Sequence, residues 1–198
     1  MKNTKVIVFL AIICSFALIT TGCWVDTGIA NISIKYENYD IDYEETVDLT
    51  KITNIEIKGS VSQINFHKVE SKDMKLHLHG SIKSNFEPEL IVDKGMKTIE
   101  VKTEKDGIKN KSTRKNELVL DVYLPESYNE KLDVSSIAGD IIISGYSLER
   151  LELSTISGNI KFSNNTADSI KVETTSGDIN ADKIVSSNEF EANSISGE

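Results

Sequence analysis

The sequence predicts an all-β protein: a single-stranded parallel β-solenoid, or β-helix, with ~19-residue coils, preceded by an N-terminal signal helix. Three observations carry the expectation. Four near-identical corners, IAGD, ISGN, TSGD and ISGE, place their glycines at Gly139, Gly158, Gly177 and Gly197, spaced 19, 19 and 20 residues apart. Apolar residues within each repeat fall two apart, as in LEL, NIKF and IKV, which is the period of a strand with one buried face. Beyond the first two dozen residues no amphipathic helical pattern is visible. A fixed period of this size marks an architecture in which each coil buries its apolar edge only by stacking on the next.

The chain opens with Lys2 and Lys5, an apolar run from Val6 to Ile19, and TTGC ending at Cys23. A charged start, about fourteen apolar residues and small residues at a cleavage point define an export signal. The run is shorter than the roughly twenty residues that span a bilayer. Its small-small-Gly-Cys ending resembles the lipobox of bacterial lipoproteins, although Thr20 stands where that pattern prefers Leu. The resemblance implies that residues 1–22 are removed and that Cys23 carries a diacylglyceryl group. Cys14 lies inside the signal, so Cys23 has no disulfide partner and is best explained as an attachment point. Two acyl chains anchor stably where one does so only marginally.

Residues 23–50 read as the lipidated N-terminus, a tether and the lead-in to the solenoid. Here Tyr36, Tyr39 and Tyr43 punctuate the acidic run KYENYDIDYEE. Aromatic faces stack on sugars or sit at a membrane interface; the plainer expectation is that Tyr36 and Tyr43 pack the start of the solenoid. The solenoid domain is assigned to residues 51–198, with regular repeats over 132–198. Ile55, Ile57, Ile64 and Phe66 carry the internal spacing of Leu151, Leu153, Ile160 and Phe162. The alternating runs Met74-Leu76-Leu78, Ile99-Val101 and Leu118-Leu120-Val122 follow, with Gly59 and Gly80 near strand ends. This half predicts irregular coils or a small sheet leading into the regular stack.

In the regular half, like residues form columns. Leu132, Leu151, Ile170 and Phe190 make one; Val134, Leu153, Val172 and Ala192 the next. Ser136, Thr155, Thr174 and Ser194 follow, then Ile137, Ile156, Thr175 and Ile195, then the glycines. Beyond them stand Ile141, Ile160 and Ile179, and Ile143, Phe162 and Ala181. Structural roles are expected for Gly139, Asp140, Gly158, Asn159, Gly177, Asp178 and Gly197. Glycine would supply a positive φ at the corner, and the Asp or Asn would hydrogen-bond nearby backbone. Stacked at roughly 4.8 Å, adjacent carboxylates repel, and Asn159 between Asp140 and Asp178 relieves this. A calcium ladder is not expected, because the glycine-rich nonapeptide of calcium solenoids is absent. The chain stops at Glu198, in a coil that has just begun, so a truncated chain or a partner covering that end is expected.

Composition narrows the function. The formal net charge is −9, and removing Lys2 and Lys5 with the signal takes it to −11. A chain this acidic does not suit nucleic acid, which needs a clustered basic face. Abundant Lys, Asn and Ile point to an AT-rich bacterial genome, with a Gram-positive source as the expectation. Lys102, Lys105, Lys109, Lys111, Arg114 and Lys115 form a candidate binding loop for anionic wall polymer or lipid headgroups. The alternative is a solvated hairpin loop whose lysines protect an edge. His77 and His79 lie two apart and so share a strand face, where imidazoles can chelate zinc or copper. No third ligand is placed by sequence, although His67 is available, and exposed strand histidines are the expectation. No metal, cofactor or catalytic residue is assigned.

The segment LVLDVYLPESYNEKLDVSSIAGDIIIS, followed by STISGNIKF and TTSGDINA, resembles the bacterial putative-adhesin family of unknown function. The likeness runs from about Ile52 to the end and is most specific from Leu118 onward. It implies a β-solenoid built on repeated Ser-Gly-Asp/Asn corners and a surface or envelope role. It supplies no catalytic residues. The resulting expectation is a membrane-anchored, extracytoplasmic lipoprotein serving as a binding or scaffold module. Its partners would be membrane lipid through Cys23 and cell-wall polymer or a membrane protein. The alternatives are an accessory regulator of envelope-stress signalling and a small carbohydrate-active enzyme.

Overall fold

The computed structural model describes residues 34–107 and 109–197. Residues 1–22 with the expected signal helix, Cys23, and Glu198 lie outside the described residues. Among the described residues there are fifteen strands and no helix.

The first half supplies β1 (Glu37–Asp48), β2 (Asn54–Gly59), β3 (Gln63–Val69), β4 (Asp73–Ser84), β5 (Ile91–Lys94), β6 (Thr98–Lys102), β7 (Thr113–Asn116) and β8 (Val119–Pro125). The regular repeats supply β9 (Lys131–Ser136), β10 (Asp140–Ser144), β11 (Ser147–Ser157), β12 (Ile160–Ser163), β13 (Thr166–Ser176), β14 (Ile179–Asp182) and β15 (Val185–Ser196). They form two sheets. An eight-stranded sheet runs β1-β4-β8-β3-β10-β12-β14, with β7 also on β4, and a seven-stranded sheet runs β15-β13-β11-β9-β2-β6-β5.

The repeat columns are now register columns. Leu132 pairs with Leu151, Leu151 with Ile170, and Ile170 with Phe190 in one sheet. Ile141 pairs with Ile160 and Ile160 with Ile179 in the other. Ile55 and Ile64 do belong to the same grammar, since they pair with Leu132 and Ile141. Alternation turns Ile55, Ile57, Leu132, Val134, Leu151, Leu153, Ile170 and Val172 of one sheet inward against Ile64, Leu120, Val122, Ile141, Ile143, Ile160 and Phe162 of the other. All are almost fully buried. Each such side chain contributes about 1.5–3 kcal/mol relative to exposure, so the sandwich interior dominates stability.

Three expectations need correction. First, the fold is not a purely parallel solenoid. β1 and β8 both pair antiparallel with β4, and β5 pairs antiparallel with β6. These hairpin-like additions cover the open edges of the first coils, an edge being a row of unpaired backbone groups. Second, coils do not stack in chain order. β6 and β8 lie on one side of β2 and β3, and β9 and β10 on the other. The β2–β3 coil therefore has both its edges paired, and β1, within the tether and lead-in assigned to residues 23–50, is a twelve-residue strand.

Third, positive φ is not what requires glycine at the repeat corners. Gly139 and Gly158 have no left-handed φ, and Gly177 at 158° is nearly extended. A Cβ on Gly158 would overlap the carbonyl oxygen of Gly139, and one on Gly177 that of Gly158. Close approach of successive coils is the reason. The left-handed residue sits instead at the opposite corner, at Gly145 (φ 84°), Asn164 (53°) and Lys183 (50°), again one coil apart. The column Ile137, Ile156, Thr175 and Ile195 faces solvent, its isoleucines at 54%, 55% and 79% exposure. Phe190 and Ala192, on the β15 edge, are exposed as well.

The polar members of the corners bind between coils. The amide of Asn159 donates to Asp140 Oδ1 at 2.7 Å, and that of Asp178 to Asn159 Oδ1 at 3.0 Å. Asn159 Nδ2 also donates to Asp140 Oδ1 at 3.2 Å, so the amide between the two aspartates adds a donor as expected. The buried hydroxyls of Thr155 and Thr174 donate to the carbonyls of Gly139 and Gly158 at 3.4 and 3.2 Å. At the opposite corner the fully buried Asn165 accepts from the Tyr146 amide at 2.9 Å and donates to the Ile143 carbonyl at 3.3 Å.

Candidate functional site

The densest cluster of chemically versatile side chains stands on the outer face of the eight-stranded sheet. In β4 the pattern DMKLHLHG buries Met74, Leu76 and Leu78, and thereby projects Lys75, His77 and His79 outward. The antiparallel register sets His77 opposite Asp121 of β8, while Glu44 and Asp42 of β1 lie opposite His77 and His79. On the far side of β8, the parallel register sets Asn65 of β3 opposite Asp121 and His67 opposite Tyr123. All three histidines of the chain thus converge on one carboxylate or its neighbour.

His79 Nε2 lies 2.8 Å from Asp121 Oδ2, and His67 Nε2 lies 2.8 Å from Asp121 Oδ1. Asn65 Nδ2 donates to the same Oδ1 at 2.9 Å. His77 Nε2 bonds to Asp42 Oδ1 at 2.7 Å. The rings of His77 and His79 are 4.4 Å apart, and that of His67 stacks on Tyr123 at 4.9 Å. Burial raises the Asp121 carboxyl, but hydrogen bonds from His67, Asn65 and His79 together outweigh it and hold the group below the usual carboxylate range. His77, His79 and Asp121 each offer a ligand atom, all within 4.8 Å of one another.

Sequence reasoning reached part of this. It placed His77 and His79 on one face, named His67 and expected exposed strand histidines; His67 is exposed, while His77 and His79 are half-buried. It missed Asp121, Asn65 and Asp42. The only local signal was Asp121 as an outward polar position between Leu120 and Val122, which becomes informative once β4 is known to pair with β8.

The basic loop is compensated within the chain. Lys102 pairs with Asp106 and Glu100 at 2.8 and 3.2 Å, Lys105 with Glu89 at 2.7 Å, Lys111 with Glu104 at 2.9 Å, and Lys115 with Glu117 at 2.7 Å. The Arg114 guanidinium lies over the Tyr36 ring at 4.1 Å, and the Tyr36 hydroxyl bonds Ser112 at 2.8 Å. Lys109 is exposed and makes no ion pair among the described residues. Tyr36 thus packs the loop, whereas Tyr43 is exposed and donates to Glu87 at 3.4 Å.

The other sheet carries a different outer pattern. Glu100, Glu56, Asp133 and Glu152 stand in consecutive register. Lys58 bridges Glu100 and Glu56 at 2.5 and 3.6 Å, and Arg150 holds Glu152 at 2.8 Å. Burial, with Glu152 and Glu56 on either side, pushes the Asp133 carboxyl up.

A two-sheet stack with ladder corners and an exposed polar face defines a β-repeat domain. Residues 52–198 match the family model described as Toastrack DUF4097, and the chain belongs to that family. No curated protein matches it. Its fold is similar to that of a structure described as a "putative cell adhesion protein" from Clostridium sporogenes ATCC 15579, at 10% identity and a TM-score of 0.50, covering 79% of this chain and 100% of that one. A weaker likeness is to a "putative adhesin" from Bacteroides fragilis NCTC 9343, at 12% identity and a TM-score of 0.32, covering 80% of this chain and 97% of that one.

Proposed function

We propose that the protein is a non-catalytic, extracytoplasmic binding module, held at the outer face of the membrane through lipid on Cys23. One observation carries the reading: both sheets offer broad outer faces on which side chains repeat at the strand spacing, on a core that fixes their positions. Such a face suits contact with an extended envelope polymer. The structure of similar fold is itself described as a "putative cell adhesion protein". The ion pairs of the basic loop reduce its free positive charge, which shifts weight from that loop to the sheet faces.

A second reading has its own support. The exposed column along one corner of the stack is apolar at Ile137, Ile156 and Ile195, with Thr175 between the last two. It favours docking on a membrane protein, as an envelope-stress regulator would do.

The test is retention of residues 24–198 on cell-wall and membrane fractions at low and high salt. The binding module is expected to be retained on wall polymer, with little loss at high salt if a sheet face binds and strong loss if the basic loop does. Retention by a membrane protein alone, abolished by Ile137→Ser with Ile156→Ser, would support the second reading. No retention on either fraction would overturn both.

A further inference from the structure

We propose that His77, His79 and Asp121 form a binding site for a late first-row divalent cation, with zinc and copper(II) as the ions that fit. The inference is independent of the lipid anchor and of the polymer-binding reading.

The donor set comes first. Two imidazoles and one carboxylate suit zinc, copper and nickel, whereas calcium and magnesium ask for shells of oxygen. Three ligand atoms already lie within 4.8 Å of one another, the span that one ion must bridge. At metal–ligand distances of about 2.0–2.2 Å, tetrahedral ligands stand ~3.3 Å apart. The 2.8 Å contact between His79 and Asp121 therefore has to open by about half an ångström. In doing so the ion takes the place of the hydrogen bond these two groups share.

The supporting contacts are the second reason. Asp121 Oδ1 is held by His67 and Asn65, which leaves Oδ2 aimed at His79. His77 has Asp42 on one ring nitrogen, and an imidazole has a second nitrogen to offer. Carboxylates that grip ligating histidines in this way orient the ring and raise its basicity. Burial of the neighbours fixes the backbone beneath: Leu76, Leu78, Leu120 and Val122 are wholly buried. Access is the third reason. Side-chain exposures of 24% for His77, 36% for His79 and 14% for Asp121 leave room for an ion to enter and for water to complete its shell.

The experiment uses the full chain in detergent, without a polyhistidine tag and with Cys14→Ser and Cys23→Ser so that no thiolate competes. Calorimetric titration with Zn²⁺ and with Cu²⁺ is expected to give one saturable site per chain. His79→Gln and Asp121→Asn should each weaken binding by at least ~10-fold, and Asp42→Asn or His67→Gln by up to ~10-fold. Far-ultraviolet circular dichroism would verify that each variant folds. Electron paramagnetic resonance of Cu²⁺ on the unmutated histidine cluster should show coupling to two imidazole nitrogens, a readout that needs no variant. Absence of a saturable site for both ions, binding unchanged in folded His77→Gln/His79→Gln, or a copper spectrum lacking two-imidazole coupling would each overturn the proposal.

Discussion

The stack from β9 to β15 and the region from β1 to β8 use the same interior and differ at their margins. In the first, each coil repeats its predecessor, so corners, hydroxyls and Asp/Asn side chains serve the next coil. Its distinctive polar groups are committed: Asp140 and Asn159 accept amides from the following coil, and Thr155 and Thr174 donate to corner carbonyls. In the second, antiparallel β4 is inserted beside β8 and breaks the one-coil logic. That insertion lets residues from strands far apart in sequence share a face, and the histidine cluster results. Regularity consumes polar side chains in structure; irregularity releases them for chemistry.

The comparison breaks most readily at the repeat corner. Gly158→Ala places a methyl group against the Gly139 carbonyl, with Thr155 close by. A loss on the order of 3 kcal/mol is expected by chemical denaturation. Gly95, in the irregular half, meets a single carbonyl at 3.3 Å, so its alanine variant should lose far less. Equal losses at the two positions would contradict close coil approach as the special demand of the regular half.

Next in size is Asn165→Ala. It orphans the buried Tyr146 amide and the Ile143 carbonyl, for a cost of about 1–3 kcal/mol. The melting temperature would report it. An unchanged value would show that water reaches this corner.

The smallest effect concerns Asp133. Its raised carboxyl means that folding holds a proton more tightly than the unfolded chain does. The cost of its charge is fully present above the raised folded value and disappears as pH falls through that value toward the ordinary Asp range. Asp133→Asn should therefore stabilise the fold at pH 7 by roughly 0.5 kcal/mol, since like charges directly across a sheet repel. The gain should shrink toward pH 4. Destabilisation at pH 7 would show that Asp133 has a favourable partner.

Much of the core was legible because strand alternation and a fixed period are local. Leu151, Leu153, Ile160 and Phe162, and their counterparts at Ile55, Ile57, Ile64 and Phe66, could be assigned inward without knowing a single pairing. The outward turn of Ile137 and Ile156 was not legible, because an apolar column at a corner looks the same whether it faces in or out. The reason for glycine at 139 and 158 was misread for a similar cause. Close approach of a neighbouring coil leaves no mark in sequence that separates it from a positive φ, while the left-handed corner at Asn164 and Lys183 carries no glycine.

The sequence by itself determined an all-β chain, the repeat, the inward face of each strand and the polar ladder at the corners. All of these depend on residues a few positions apart, or one period apart. Only the tertiary structure decided that β6 and β8 stack outside β2 and β3, and that β4 lies antiparallel between β1 and β8. Those pairings join residues 25 to 56 positions apart, and they bring His77 to Asp42 and His67 to Asp121. Their register is set by the packing of the whole rather than by any segment.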